Sequence, residues 1–306
     1  MLNYRLRHIS LLFLALGQCV FGQSKIDTFL TPSDTLHLKR QKAVIATEII
    51  GASAALLALN QLWYKDYPQN DFSLVNDNAH WLQMDKAGHV FSAYQMGRLG
   101  AEMWQWSGSS KKNQRLYGAT LGFAFLSVVE VMDGFSAEWG ASYGDVLANA
   151  SGTGLYIAQD LLWNEQRIVP KFSYRQTVYP TVRPELLGSS WNEQIVKDYN
   201  GQTYWLSANI ASFIPNTKIP KWLNLAVGYG AEGMITAEDV LVNTVFLPES
   251  RRVRQFYLSL DIDLTRIETQ NHTLKTIFSV FNTLKIPAPT LEIRGSGVVR
   301  WHAFYF

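Results

Sequence analysis

The stretch that decides the fold begins with MDKAGH at residues 84–89, continues with EVMDG at 130–134 and closes with SYGDVLANASGTG at 142–154. Each polar group lies at an end or on one face of an otherwise apolar segment that is rich in small residues. Ionisable groups are costly to place in such segments, so their presence indicates a functional site as well as helices.

Around this stretch, the hydrophobic pattern predicts a bundle of about four apolar helices, at residues 43–59, 85–106, 116–132 and 144–163. Asp85 is predicted to be the N-cap of the second helix, because its carboxylate can accept hydrogen bonds from free backbone N–H groups. Ser142 is the candidate cap of the fourth helix, and Gly134 is expected to end the third. The first helix has about the minimum length of a membrane span, although it contains Glu48.

After Pro170 the pattern changes to the alternation that is typical of strands. Residues 256–265 and 291–301 alternate clearly, and residues 204–214 and 223–229 do so less regularly. The predicted fold class is therefore α+β, with an N-terminal helical bundle followed by a C-terminal antiparallel β-rich region. We expect a curved sheet packed on the helices. The aromatic ending at Phe304 and Phe306 resembles the last strand of an outer-membrane barrel, which leaves a barrel as the alternative.

The expected organisation has four parts: a signal peptide at 1–22, a helical domain at 23–165, a connector at 166–200 and an antiparallel β-rich domain at 201–306. Arg5 and Arg7, the apolar run that follows them and the small residue Gly22 predict the signal peptide. Cys19 makes a lipoprotein the alternative, although Gln18 differs from the small residue that usually precedes a lipidated cysteine.

Composition and charge narrow the class of protein. Hydrophobic residues make up 47% of the 306 residues, and the ten Trp favour boundaries such as a membrane interface. Removal of Arg5 and Arg7 leaves 25 basic residues, which balance the 25 acidic ones. This balance, with no basic run, excludes nucleic acid as the expected partner. We expect an exported, membrane-associated protein on the periplasmic side of the bacterial cell envelope, with the outer membrane as one location; the oligomeric state stays open.

Two basic clusters, at residues 39–42 and 111–115, are predicted to lie on the same side of an up-and-down bundle. If the helices span a membrane, positive clusters are expected on the cytoplasmic side. A cleaved signal peptide would instead place the first cluster outside the cytoplasm. This conflict favours a compact bundle that is at most partly embedded.

The spacing of the polar residues predicts that three helix faces form one cluster. Asp85 and His89 are four residues apart, and Glu130 and Asp133 are three apart, so each pair shares a helix face. The predicted functional cluster consists of Asp85, Lys86, His89, Glu130, Asp133, Ser142, Asp145, Asn149 and Gly152.

This cluster suits three kinds of chemistry. The histidine and the carboxylates could bind a divalent metal ion, although no standard metal-binding spacing is present. Lys86 and His89 among carboxylates could carry out acid–base chemistry, or could hold a phosphate or carboxylate near a helix N-terminus. The alternative is a structural role, in which the charged groups pair only to fix the register of the helices.

The order Asp-Lys-x-x-His, Glu-x-x-Asp and Ser-x-x-Asp-x-x-x-Asn-x-x-Gly resembles the YfiM-type family of predicted periplasmic lipoproteins of unknown function. It is more distantly similar to the VanZ-like membrane family, which is linked to teicoplanin resistance. The resemblance covers residues 80–165, and its matching positions are Asp85, Lys86, His89, Glu130, Ser142, Asp145, Asn149 and Gly152. The VanZ-like pattern has Gln where this chain has Asp133, and its Arg before the Ser is absent. The resemblance implies an envelope location and a site, but no reaction.

Our first hypothesis is a cell-envelope protein that binds an envelope lipid or another small anionic ligand at the polar cluster. The second is a metal-assisted or acid–base hydrolase that acts on an envelope lipid or phosphate ester. The third is a structural partner of an outer-membrane assembly, with the β-rich half as its interaction surface.

Overall fold

The computed structural model describes residues 25–65, 67–214, 216–238 and 252–306. The predicted signal peptide, with Cys19, lies outside these ranges. In the described part of the chain, long helices fill the first half and a six-stranded antiparallel sheet fills the second, which confirms the α+β class.

The helices of the first half are α1 (Lys25–Leu30), α2 (Leu38–Leu59), α3 (Met84–Trp106), α4 (Lys111–Asn113), α5 (Leu121–Gly134) and α6 (Tyr143–Trp163). π-Helical turns at Asn60–Tyr64 and Gln114–Ala119 follow α2 and α4. By length and composition, α2 and the segment Lys111–Gly134 are apolar enough to cross a membrane.

Two very short strands, β1 (Leu74–Val75) and β2 (Ala141–Ser142), pair in parallel beside the helices. The strands of the large sheet are β3 (Ile168–Tyr174), β4 (Gln202–Asn209), β5 (Leu223–Glu232), β6 (Val253–Ile262), β7 (Ala288–Arg294) and β8 (Val299–Tyr305). They pair in sequence order. The short helices α7 (Pro184–Leu187), α8 (Trp191–Lys197) and α9 (Ile210–Phe213) and the longer α10 (His272–Phe281) lie between them in the chain.

Helix α3 is the centre of the helical half because its neighbours approach its backbone. A β-carbon at Gly122 of α5 would lie 2.2 Å from the carbonyl oxygen of Ala93, and one at Gly152 of α6 would lie 2.2 Å from that of Val90. Contacts this close require residues without a side chain. The small residues of the sequence therefore allow α5 and α6 to pack directly against the α3 backbone.

The helix ends agree with the sequence in two places and differ in one. Ser142 caps α6 by accepting a hydrogen bond from the Asp145 backbone, and Gly134 is the last residue of α5, as predicted. The prediction that Asp85 caps α3 is wrong, because the helix begins at Met84. Gln83 is the N-cap residue and has a left-handed backbone with φ of 64°. This turn places the helix start one residue earlier than predicted, so the Asp85 carboxylate is free to bind other partners.

The sheet differs from the sequence-based assignment at both of its ends. The segment interpreted as a connector contains β3. Its sequence does not show the pattern of a strand, because it contains Pro170 and because the charged Lys171 occupies a buried position. The single alternating run predicted at 291–301 is instead the hairpin of β7 and β8. Its turn contains Gly297, which has φ of 84° and donates its N–H to the carbonyl of Arg294.

The sheet curls, and the face inside the curl carries most of the buried polar side chains of the strands together with an aromatic cluster. The rings of Trp205 on β4 and Tyr305 on β8 meet edge to face with centroids 6.0 Å apart, although three strands separate them in the sheet. On β6, Ser259 and Asp261 face inward and are buried, whereas Leu258 faces outward and is 43% exposed. The alternation was therefore predicted correctly, but the buried face is the polar one.

The packing of α3 and α6 can be tested by two substitutions on α6 that are two residues apart. Gly152→Ala should destabilise the fold by about 1–3 kcal/mol, because its methyl group would overlap the Val90 carbonyl. Gly154→Ala is the control, since a β-carbon there has nothing within 4 Å. It should be neutral or stabilising by roughly 0.5–1 kcal/mol through helix propensity. Guanidinium unfolding followed by circular dichroism measures both, and equal effects would contradict the close contact.

Candidate functional site

A polar cluster lies where the N-terminal ends of α3 and α6 meet the C-terminal end of α5. At its centre the Lys86 ammonium group donates to Asp77 at 2.7 Å, to Asp145 at 2.8 Å and to Asp85 at 3.2 Å. One lysine on α3 thus links α6 to the loop after β1. Three carboxylates around one ammonium group leave an excess of negative charge.

The local chain path explains why these groups meet. The pairing of β1 with β2 places the loop that contains Asp77 next to the start of α6. The Ser142 hydroxyl donates to Asp77, and the Ser142 backbone N–H donates to Glu130 Oε2 at 3.0 Å. Ser142 also caps α6, so one residue fixes the positions of Asp77, Glu130 and Asp145.

His89 occupies the other half of the cluster and has two distinct ring environments. Its Nδ1 lies 2.9 Å from Asn149 Oδ1, so Nδ1 carries the proton and donates to that oxygen. Its Nε2 lies 3.8 Å from one oxygen each of Asp85, Glu130 and Asp145. The Nε2 atom therefore points towards three carboxylates.

Two of these carboxylate oxygens have no hydrogen-bond partner. Glu130 Oε1 and Asp145 Oδ1 are buried and unpaired, and each of the two residues is only 4% exposed. Buried carboxylate oxygens nearly always accept hydrogen bonds, because leaving them unpaired costs free energy. A positive group between these oxygens and His89 would satisfy all three.

Burial and neighbouring charges shift the pKa values of the site. Burial raises the pKa of Asp145 to about 6, and the negative charge of Asp85 adds to the rise. Burial disfavours the charged forms of His89 and Lys86, but the surrounding carboxylates outweigh it and raise both pKa values. Burial also opposes ionisation of Asp85, yet His89 and Lys86 outweigh it and lower its pKa. Lys86 and His89 therefore hold their protons more strongly than they would in water.

The structure brings the predicted residues together from three helices. Asp133 lies at the edge of the cluster, where it accepts a hydrogen bond of 2.7 Å from Tyr64. Gly152 contributes no polar group and instead permits the contact of α6 with α3. Lys86 lies among the carboxylates.

Sequence reasoning missed two residues of the cluster. Asp77 pairs with Lys86, and Tyr199 donates its hydroxyl to Asp85 Oδ1 at 2.8 Å. The polar run Asn76-Asp77-Asn78 just before α3 was a signal for the first residue. Tyr199 comes from the segment interpreted as a connector, more than a hundred residues away, and no local pattern indicates it.

A comparison with known protein families finds a match that contains this site. Residues 73–159 match a family described as predicted periplasmic lipoprotein (DUF2279). The match covers less than half of the chain and includes every residue of the predicted cluster. No curated protein and no solved structure matches the chain. The family description supports an exported protein of the cell envelope.

The central position of Lys86 predicts a large effect of its removal. Lys86→Met should destabilise the metal-free protein by about 3–5 kcal/mol, because Asp77 and Asp145 would lose the cation that compensates their buried charge. The control is Lys112→Met, at an exposed lysine, which should change stability by less than about 0.5 kcal/mol. Guanidinium unfolding in the presence of a chelator measures both, and a neutral Lys86→Met would contradict this role.

Proposed function

We propose that this exported envelope protein binds a divalent metal ion at Asp85, His89, Glu130 and Asp145. The ion then binds an anionic envelope ligand, a phosphate ester or a lipid head group. The observation that carries the proposal is the orientation of His89, whose Nε2 faces three carboxylate oxygens at 3.8 Å while Asn149 holds Nδ1.

The donor set fits a divalent ion. Ligand atoms of Asp85, His89 and Asp145 lie within 4.8 Å of one another, and the unpaired Oε1 of Glu130 faces the same histidine nitrogen. Metal-binding histidines typically donate their second ring N–H to an oxygen acceptor, as His89 does to Asn149. One imidazole with several carboxylates suits ions such as Zn²⁺ or Mn²⁺.

The charge of the cluster disfavours direct binding of an anion by protein side chains. Lys86, the residue first expected to hold a phosphate, already donates to three carboxylates. Further negative charge would be repelled by these neighbours. A divalent ion would place positive charge directly beside the ligand, so an anionic ligand would bind at the site through the ion.

Hydrolysis of the same ester is a second candidate function. The observation that favours it is Asp133, a carboxylate one helical turn from Glu130 that is not among the four proposed ligands. A bound metal ion would supply Lewis acidity, and Asp133 would serve as the proton acceptor for an attacking water. Metal-dependent release of phosphate from a lipid phosphate would distinguish hydrolysis from binding alone.

We also propose that the resemblance to the YfiM-type and VanZ-like families reflects this site. The positions shared with their pattern include all four proposed ligands and the histidine partner Asn149. A membrane-associated location on the periplasmic side is part of the same proposal, because such ligands are found there.

Metal binding is tested by titrating the chelator-treated protein with Zn²⁺ and with Mn²⁺ in a calorimeter. We expect one ion per chain, and His89→Gln and Asp145→Asn should each abolish this binding while the circular dichroism spectrum is retained. His80→Gln is the control, because His80 pairs with exposed Glu238 outside the cluster. Undiminished binding by the His89 variant, or no binding by the natural sequence, would refute the site.

The role of Asn149 gives a separate prediction. Asn149→Leu should weaken metal binding by roughly 10- to 100-fold, because the orientation and tautomer of His89 would no longer be fixed. Ser151→Ala is the matched control on the same helix, since the Ser151 side chain is exposed and donates only to the Leu147 carbonyl. Equal affinities of the two variants would show that Asn149 does not position the histidine.

A further inference from the structure

The large sheet exposes a continuous apolar face. The register aligns Leu206, Val227, Leu258, Leu291 and Trp301 in one row across five strands. A second row consists of Tyr204, Tyr229, Phe256, Ile293 and Val299, and a third of Ala208, Leu225 and Leu260. These three rows contain no charged residue.

The opposite face of the same strands forms the interior, where many buried polar side chains lie beside the aromatic cluster of Trp205, Tyr257 and Tyr305. The Ser207 hydroxyl donates to Asp261, and the Asn224 amide donates to Ser207. Lys171 pairs with Asp261 at 2.8 Å, and both side chains are fully buried. These groups satisfy one another, so the polar interior is a specific core.

This arrangement reverses the polarity of a sheet that faces water. In water, one face of an antiparallel sheet buries apolar side chains and the other presents polar ones. Here Val227 is 52% exposed and Trp301 is 67% exposed, while Asn224 and Ser207 are completely buried. Leaving so much apolar area in water is unfavourable at about 25 cal/mol per Å².

Helix α3 covers only one edge of the apolar face. Its Phe91 ring contacts Phe172 on β3 and Tyr204 on β4, with ring centroids 5.7 and 5.8 Å away. The turn before α3 covers Tyr229 on β5, whose hydroxyl donates to the Leu82 carbonyl. Beyond these contacts, among the described residues, most of the row residues on β5 to β8 are exposed. The curl of the sheet makes this face convex, because Trp205 and Tyr305 meet on the inner side.

We propose that this convex face, together with α2, is embedded in the acyl chains of a lipid bilayer. Strands β5 and β6 have 10 residues each, the length that crosses a hydrocarbon core when tilted. The outward alternation of apolar side chains over a polar interior is the arrangement of membrane-inserted strands.

Helix α2 supports lipid as the occupant independently of the sheet. It has 22 residues, and only 6% of its most apolar window is buried. At about 1.5 Å per residue it matches a hydrocarbon core of about 30 Å. Basic Lys39 and Lys42 lie in its first turns, and Trp63 and Tyr64 follow its end, as expected at the two interfaces.

A lipid occupant explains the composition of both surfaces better than a protein partner. Protein interfaces have a polar rim and hydrogen-bonding groups among their apolar residues. Apart from Tyr204 and Tyr229, whose hydroxyls are hydrogen-bonded within the chain, the three rows present only aliphatic side chains, Phe256 and Trp301, and the face is convex. This inference does not depend on the metal site, whose residues belong to α3, α5 and α6.

The test uses site-directed fluorescence in the full chain. Cys19→Ser removes the natural cysteine, and Val227→Cys, Leu258→Cys or Glu268→Cys is then labelled with an environment-sensitive dye. Glu268 is the control, because it is exposed and ion-paired with Lys221 beyond the end of β6. Each labelled protein is reconstituted into phosphatidylcholine vesicles with or without acyl-chain spin-labelled lipid.

We expect a blue shift and loss of most of the fluorescence by the spin-labelled lipid at positions 227 and 258, but not at 268. No quenching at 227 and 258 would overturn the proposal, as would equal quenching at all three positions. A blue shift at 227 and 258 without quenching would show that protein, such as a second copy of the chain, covers the face. That outcome would also overturn it.

Discussion

The structure depends on the close approach of α5 and α6 to the backbone of α3. At Gly122 and Gly152 these helices contact backbone atoms of α3, which side chains would prevent. The contact brings Glu130 and Asp145 to the same histidine nitrogen of His89. Assembly of the polar cluster therefore depends on the packing of the small residues, because a wider helix separation would move these carboxylates away from the imidazole.

Electrostatics then determines what the cluster can do. Carboxylates outnumber the cations, and Lys86 pairs with Asp77 and with one oxygen each of Asp85 and Asp145. On the side of His89, two buried oxygens remain unpaired, on Glu130 and Asp145. An ion at this position would turn an unfavourable arrangement into a stable one, which is the physical basis of the proposed metal site. Asn149 completes it by fixing the ring that supplies the nitrogen ligand.

The two halves of the chain meet through α3, and each presents apolar surface outward. The sheet buries ion pairs such as that of Lys171 with Asp261 and leaves Leu258 and Trp301 exposed. The helical half exposes α2 in the same way. A protein with this distribution of polarity is suited to a boundary between water and lipid.

The sequence alone determined the four main helices and the candidate residues, because the hydrophobic period, the Ser142 cap and the spacing of Asp85 and His89 are local, but it missed β3 and merged β7 with β8. It also predicted the alternation of β6. Only the tertiary structure decided that Tyr199 and Asp77 join the cluster and that Asp85 does not cap its helix. It alone showed that the polar face of the sheet is buried. Alternation in a strand shows that its two faces differ in polarity, but which face lies inside depends on how the whole sheet curls.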